Sequence, residues 1–207
     1  MPRAHRHVLD GRTYHVTHRC HDREFLLKFA RDRDAYRMWL RAGLAREPVR
    51  CVGYCITSNH VHVMLRAETA EAVSELMQYT QGCSAQAYNL RKRRQGAFWS
   101  DRYHATMNED GTQFWRCLLY VDVNMVRAGA VGHPREWDWT AWGELMGERR
   151  RNRVIDLDAV VELAGARDLA SFREHYAQAV SDRLRTGVGE REPYWSESVA
   201  VGANGYV

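Results

Sequence analysis

The sequence of 207 residues has few cysteines and no long apolar run, and both features limit the kinds of protein that it can encode. The five cysteines are scattered and odd in number, and none form a C-x-x-C pair. This pattern is typical of free thiols in a reducing cytosol. No apolar stretch is long enough to span a membrane, and the N-terminus has no signal-like pattern. We therefore expect a cytoplasmic protein that does not cross a membrane.

Internal repeats and low-complexity tracts are also missing, and the charge is nearly balanced. The chain can form one domain with an appendage or two small domains, and it can bury a sizeable core. The net charge is +4 and the isoelectric point is near 8.9. Most of the 30 basic residues are arginine, whose planar fork binds two phosphate oxygens at once. The charge is thus compatible with nucleic-acid binding but does not establish it.

The sequence Asn59-His60-Val61-His62-Val63 places two histidines in a run of strand-forming residues. Side chains alternate between the faces of a strand, so His60 and His62 point the same way. Two imidazoles on one face of a rigid strand can supply half of a metal site. The pattern is short and common, however, and two half-buried polar residues would produce it equally well. A second such pattern, His5 to His7, precedes any strand signal and indicates a flexible arm.

The stretch from Leu119 to Gly129 predicts a helix that ends at a glycine. Tyr120, Asn124 and Arg127 fall on one face, opposite an apolar stripe that includes Val121. A tyrosine one turn before an amide and beside an arginine suits a catalytic role. A solvated helix face would give the same spacing.

These two stretches together resemble the Y1 transposases of the HUH superfamily, in particular the REP-associated tyrosine transposases. Members of that family carry His-hydrophobic-His after an Asn, and later a helix with a nucleophilic Tyr followed by Asn or Gln four residues on. Further similarity lies in Tyr14-His15-Val16-Thr17 and in the region from Arg151 to about Trp195. Ser58 and Met125 replace prolines usual in the family, and Met125 suits an uninterrupted helix. The resemblance implies that Tyr120 is the nucleophile and that cleavage leaves a 5′-phosphotyrosine and a free 3′-OH.

The order of predicted elements is β-α-β-β-α-β-α. It indicates an α+β fold with a ferredoxin-like antiparallel sheet and helices packed on one face. Asp32, Thr69, Asp156 and Asp168 are predicted helix caps. We expect a catalytic domain in residues 1–147 and a basic linker with a helical C-terminal extension in residues 148–207. The sheet face that carries the two histidines should remain open to DNA and metal.

Basic residues form two runs, with two further arginines near the predicted site. They are candidate DNA contacts: Arg91, Lys92, Arg93, Arg94, Arg102, Arg127, Arg149, Arg150, Arg151 and Arg153. Either run can instead be solvated, as a helix end in the first case and a linker in the second. Phe98 and Trp99, just before Arg102, can stack on bases or pack into the core.

The resemblance implies cleavage of single-stranded DNA near a hairpin, followed by strand transfer. His60, His62 and the amide oxygen of Asn124 can hold a divalent cation, Mg²⁺ or Mn²⁺, that polarises the phosphate. A hairpin-DNA binder without turnover, or a ferredoxin-like protein that binds RNA or another partner without metal, is compatible with the same sequence. The protein can be a monomer or a homodimer.

Overall fold

The computed structural model describes residues 9–203, so the histidine pair His5 and His7 lies outside the described residues. The strands within this range are β1 (Arg12–Arg19), β2 (Val49–Ile56), β3 (His60–Ala67), β4 (His104–Asn108) and β5 (Ala200–Val201). The α-helices are α1 (Ala30–Leu44), α2 (Ala70–Lys92), α3 (Thr112–Asp122), α4 (Asn124–Arg127), α5 (Trp142–Leu145), α6 (Leu157–Leu163), α7 (Leu169–Thr186) and α8 (Tyr194–Glu197). Two single turns of 3₁₀-helix span His21–Arg23 and Pro134–Glu136.

The sheet has the strand order β2-β3-β1-β4-β5. Its first four strands pair in antiparallel fashion, in the order of a ferredoxin-like split β-α-β unit. The predicted α+β fold class is therefore confirmed. Strand β5 was not predicted, and it pairs parallel to β4 at the sheet edge. It comes from the end of the chain and is two residues long, too short to leave a periodic signal.

Helices α1 and α2 pack together on one face of the sheet, as expected. The Thr69 side chain accepts a hydrogen bond from the backbone N–H of Ala72, which confirms it as the cap of α2. The prediction for Asp32 is wrong, because α1 begins at Ala30, after Phe29. The Asp32 carboxylate is instead buried and forms an ion pair with Arg91 of α2. A buried carboxylate requires such a partner, so this contact ties the two helices together.

The opposite face, which carries the histidines, is covered by α3 rather than left open. The contact is close at Gly53 of β2, where an added Cβ would lie 2.8 Å from Cδ1 of Leu118. A larger residue here would push the Leu118 side chain away, so glycine lets the helix lie close to the strand. The covering helix carries Tyr120, so the fold brings the tyrosine onto the face occupied by His62.

Helices α6 and α7 extend this layer and are capped as predicted. Asp156 accepts from the backbone N–H of Ala159 at 2.9 Å, and Asp168 accepts from that of Ser171 at 2.7 Å. The Tyr176 hydroxyl of α7 donates to the fully buried carboxylate of Asp122 in α3 at 2.7 Å. This bond anchors the C-terminal helices on the helix that carries Tyr120. The domain boundary near residue 147 stays a prediction.

No helix within residues 9–203 combines the length and hydropathy needed to cross a bilayer.

Candidate active site

The two histidines of β3 lie side by side on the face covered by α3. Their ring centroids are 4.9 Å apart. In the antiparallel register His62 pairs with Thr17, and His60 pairs with Arg19, both of β1. His60 and His62 therefore lie on the same face of β3, as the sequence predicted. His62 is only 4% exposed.

His60 is held by the turn that precedes it. Its Nδ1 lies 2.8 Å from Oδ1 of Asn59 and 2.9 Å from Oγ1 of Thr57. Asn59 donates through its Nδ2 to the carbonyl of Arg23 at 3.1 Å, so its Oδ1 is the atom that accepts from His60. The proton of the neutral ring is thus on Nδ1, and the lone pair is on Nε2. Burial lowers the pKa of His60 to about 3, and nearby Arg19 and Arg191 contribute to this lowering.

His62 is held from both sides. Its Nε2 lies 3.1 Å from Nδ2 of Asn124, and its Nδ1 lies 2.8 Å from Nε2 of His15. The other ring nitrogen of His15 lies 2.7 Å from the carbonyl oxygen of Trp195. Burial is the main cause of the lowered pKa of both histidines, about 4 for His15 and well below the usual value for His62. Both rings are neutral at pH 7.

Tyr120 packs edge-on against the histidines and is 5% exposed. Its ring centroid lies 6.1 Å from that of His62 and 6.2 Å from that of His15. The guanidinium carbon of Arg127 lies 4.1 Å from the Tyr120 ring centroid. Burial raises the pKa of Tyr120, whereas Arg127 and Arg191 oppose that rise. The polar helix face predicted from spacing is thus turned inward rather than solvated.

The helix carrying Tyr120 breaks at Val123, which corrects the expectation of an uninterrupted helix. α3 ends at Asp122, and the single turn α4 starts at Asn124. In an unbroken helix the Tyr120 carbonyl would accept from the backbone N–H of Asn124. Here it accepts from the Arg127 guanidinium at 2.9 Å. Gly129 closes the turn with φ +67°, as its predicted role as a stop requires.

These side chains line a pocket of about 690 Å³. Its other wall is the C-terminal segment, which we define as residues 187–199. Sequence reasoning missed several residues of this site: His15, Thr17, Arg19, Glu190, Arg191, Trp195, Ser196 and Glu197. The alternation of side chains along a strand could have identified His15, Thr17 and Arg19, since they lie on one face of β1. Nothing in the sequence indicates that residues 189–197 return to this face.

The donor atoms suit a hard or borderline divalent cation. Residues 9–203 contain no cluster of three or more His, Cys, Asp or Glu side chains able to hold a metal. The candidate set is instead Nε2 of His60, Nε2 of His62 and the amide of Asn124. Neither Nε2 atom carries a proton, because the Nδ1 atoms do. Nε2 of His62 accepts from Nδ2 of Asn124, so this amide has to turn its oxygen toward a cation to join the set. Two imidazoles and an amide oxygen leave positions for water and a phosphate oxygen, as expected for Mg²⁺ or Mn²⁺.

A sequence model of the family described as "Transposase IS200 like" matches residues 9–121, more than half of the chain. The chain belongs to the IS200-like transposase family. The family predicted from the two motifs is therefore confirmed. A search among curated proteins gave no match.

The solved structures that are similar to this transposase include the following two. A REP-associated tyrosine transposase bound to a REP hairpin has the same fold, with a TM-score of 0.56 and 14% sequence identity. The alignment covers 75% of this chain and 93% of the other. A Deinococcus radiodurans protein described as a transposase matches with a TM-score of 0.39, 17% identity, and coverage of 51% of this chain and 82% of the other.

The basic residues of this transposase divide into three groups. Arg127 belongs to the pocket. Arg91 and Arg94 form ion pairs with Asp32 and Glu24, so both are partly used within the fold. The remaining candidates are Lys92, Arg93, Arg102, Arg149, Arg150, Arg151 and Arg153, and all but the half-buried Arg149 are exposed.

The aromatic residues near Arg102 belong to the core. Phe98 is 3% exposed, and the Trp99 ring stacks on His18 with 4.6 Å between the centroids. The Trp99 indole also donates to the carbonyl of Gln81. These contacts favour the packing role over base stacking for both rings.

Proposed function

We propose that this IS200-like transposase is a metal-dependent endonuclease and strand transferase for single-stranded DNA that carries a hairpin. The observation that carries this is the pocket in which Tyr120 lies beside His60, His62 and Asn124. A nucleophile, a set of metal donors and three cations, Arg19, Arg127 and Arg191, surround one space large enough for a phosphodiester.

The Tyr120 hydroxyl is the attacking group. It forms a bond to phosphorus and loses its proton, while the P–O bond to the 3′ oxygen breaks and that oxygen gains a proton. The products are a 5′-phosphotyrosine and a free 3′-OH, and a 3′-OH that attacks the phosphotyrosine reverses the bonds and rejoins the strand. Burial keeps the Tyr120 proton in place at neutral pH, so the hydroxyl needs activation at the moment of attack.

The chain's own groups position this reaction. Arg127 stacks on the Tyr120 ring and holds the backbone at the end of α3, which fixes the direction of the phenol. Arg19 and Arg191 at the rim can bind the flanking phosphates. A bound Mg²⁺ or Mn²⁺, held by His60, His62 and the Asn124 oxygen, would supply polarisation of the scissile phosphate.

All of these groups come from a single chain. The described residues include the tyrosine and both histidines, so a monomer can contain a complete site, and a homodimer is not required for cleavage in cis. We place the activity in the cytoplasm, because the five cysteines are free and four of them are buried.

The direct test is covalent capture on labelled DNA. The protein is incubated with a single strand carrying a hairpin from the DNA flanking its own gene, with Mn²⁺ or Mg²⁺. We expect a denaturation-resistant adduct that joins the protein to the 5′ end of the downstream fragment. Binding that survives EDTA with no adduct in either metal would contradict turnover and leave a hairpin-DNA binder.

The basic run from Arg149 to Arg153 is our candidate hairpin contact. The relative with the same fold is bound to a REP hairpin, which supports a hairpin as partner here. Arg149, Arg150 and Arg151 line a second pocket, of about 410 Å³, together with Arg135. Arg149 also donates to the carbonyl of Asp138 at 3.1 Å, so the run is partly ordered rather than a free linker.

Replacing Arg149, Arg150, Arg151 and Arg153 with glutamine is expected to weaken hairpin binding more than cleavage of DNA already bound. For every phosphate that an arginine no longer neutralises, the slope of log affinity against log salt should fall by about 0.9 on a duplex stem. Titration at several salt concentrations measures it. Arg167→Gln with Arg185→Gln, two exposed cations before and on α7, is the control for loss of surface charge elsewhere, at half the change in net charge. An unchanged slope in the four-fold variant would indicate that these arginines do not contact DNA and that the run is a solvated linker.

A further inference from the structure

We infer that His15 is a positioning residue that holds His62 in the tautomer able to bind metal, and that the backbone of the C-terminal segment sets that tautomer. The inference rests on the proposed function, since it concerns a metal ligand of that site. The contacts involved are Trp195 carbonyl to His15, His15 to His62, and His62 to Asn124.

The direction of these hydrogen bonds follows from their first member. A carbonyl oxygen only accepts, so the His15 nitrogen 2.7 Å from Trp195, Nδ1, carries the proton. A neutral imidazole has one N–H, so Nε2 of His15 is a lone pair. Nδ1 of His62, 2.8 Å away, must therefore be the donor. The lone pair of His62 is left on Nε2, where the Asn124 amide points.

Without the carbonyl, only the Asn124 amide, whose nitrogen lies 3.1 Å from Nε2 of His62, would favour one direction of the bond between the two histidines. His15 protonated on Nε2 would donate to Nδ1 of His62, and the His62 proton would then sit on Nε2 and block a cation. His60 does not share this ambiguity, because its neighbour Asn59 offers a fixed acceptor. The strand supplies the position of His62, and the far end of the chain supplies its tautomer.

The carbonyl is itself firmly placed. The Trp195 side chain is fully buried, and its indole N–H donates to Glu192 at 2.7 Å. Glu192 in turn pairs with Arg183 of α7 at 3.0 Å. The rings of His15 and His62 are nearly parallel, with an interplanar angle of 12°, and the hydrogen bond between them joins them edge to edge. Partners of this kind orient ligands in metal sites generally.

Three variants separate this role from simple packing. His15→Phe keeps a ring against Tyr120 and His62 but removes the acceptor. His15→Gln restores the polarity, because its amide nitrogen can donate to Trp195 and its oxygen can accept from His62. His104→Phe is the matched control. His104 lies on β4, beside β1, and its ring is 3.0 Å from the Ser198 carbonyl, so its replacement also removes a hydrogen bond to the C-terminal segment.

Two measurements need no DNA cleavage. Nitrogen-15 NMR of the imidazoles in metal-free wild-type protein should show His62 protonated on Nδ1. Titration with Mn²⁺ alone should show affinity reduced about 10- to 100-fold by His15→Phe, the usual range for such partners, and nearly unchanged in His15→Gln and His104→Phe. Thermal melting checks that each variant is folded.

The outcomes are distinct. His62 protonated on Nε2 in the wild type, or His15→Phe with wild-type Mn²⁺ affinity, would overturn the role of His15 and leave the proposed function intact. A wild-type protein that binds no Mn²⁺, yet holds His62 in the Nδ1-protonated form, would overturn the metal-dependent function instead. If His15→Phe fails to fold, the NMR result on wild type and the affinity of His15→Gln decide the question.

Discussion

Tyr120→Phe is expected to abolish covalent attachment to DNA, with a loss on the order of 10³-fold or more, while folding and DNA binding stay close to wild type. The substitution removes one hydroxyl and keeps the ring that packs between His62 and Arg127. Gel analysis of labelled single strands after denaturation measures the adduct, and a binding titration on the same substrate measures affinity.

Tyr103→Phe is the control for the loss of a buried tyrosine hydroxyl elsewhere. Tyr103 is also buried, and its hydroxyl bonds to Ser74 of α2, in the layer across the sheet from the pocket. This variant should form the adduct as the wild type does. An adduct formed by the Tyr120→Phe protein would mean that another residue is the nucleophile.

Local patterns predicted the parts of the site that come from one short stretch of sequence. The alternation of β3 placed His60 and His62 on one face, and spacing along the sequence placed Tyr120 near Asn124, although the helix breaks between them at Val123. These inferences succeed because strand and helix periods are fixed by backbone geometry. The helix caps at Thr69, Asp156 and Asp168 were predicted for a related reason, because a cap uses residues three positions apart.

Contacts between distant elements were not predictable in this way. His15 of β1 contacts His62 of the neighbouring strand β3, and predicting this contact requires the register of β1 against β3. Trp195 reaches His15 across 180 residues, from a segment with no periodic signal. At the break at Val123 the Tyr120 carbonyl accepts from the Arg127 side chain, a contact that helical periodicity does not predict. Asp32 is a residue type that often caps helices, yet its partner is Arg91, 59 positions away.

The double variant His60→Ala, His62→Ala is expected to lose metal-dependent cleavage entirely, and each single variant should lose most of it, on the order of 10²-fold or more. Both histidines line the pocket with an Nε2 that carries no proton, so each removal deletes one candidate donor. Initial rates across a range of Mn²⁺ and Mg²⁺ concentrations measure the effect. His175→Ala, on the exposed side of α7, is the control for loss of a histidine.

Asn124→Ala should be milder, about tenfold, and partly rescued by higher Mn²⁺. Its amide is the one neutral oxygen donor of the set, and water can take the place of a neutral oxygen more readily than that of an imidazole. The same change also removes the hydrogen bond to Nε2 of His62, but the bond from His62 to His15 still orients that ring. Rescue should therefore fail in the His62→Ala variant and succeed in Asn124→Ala.

If the double histidine variant cleaves DNA in EDTA at the wild-type rate, these donors do not hold a catalytic metal, and Tyr120 must be activated by the arginines of the pocket.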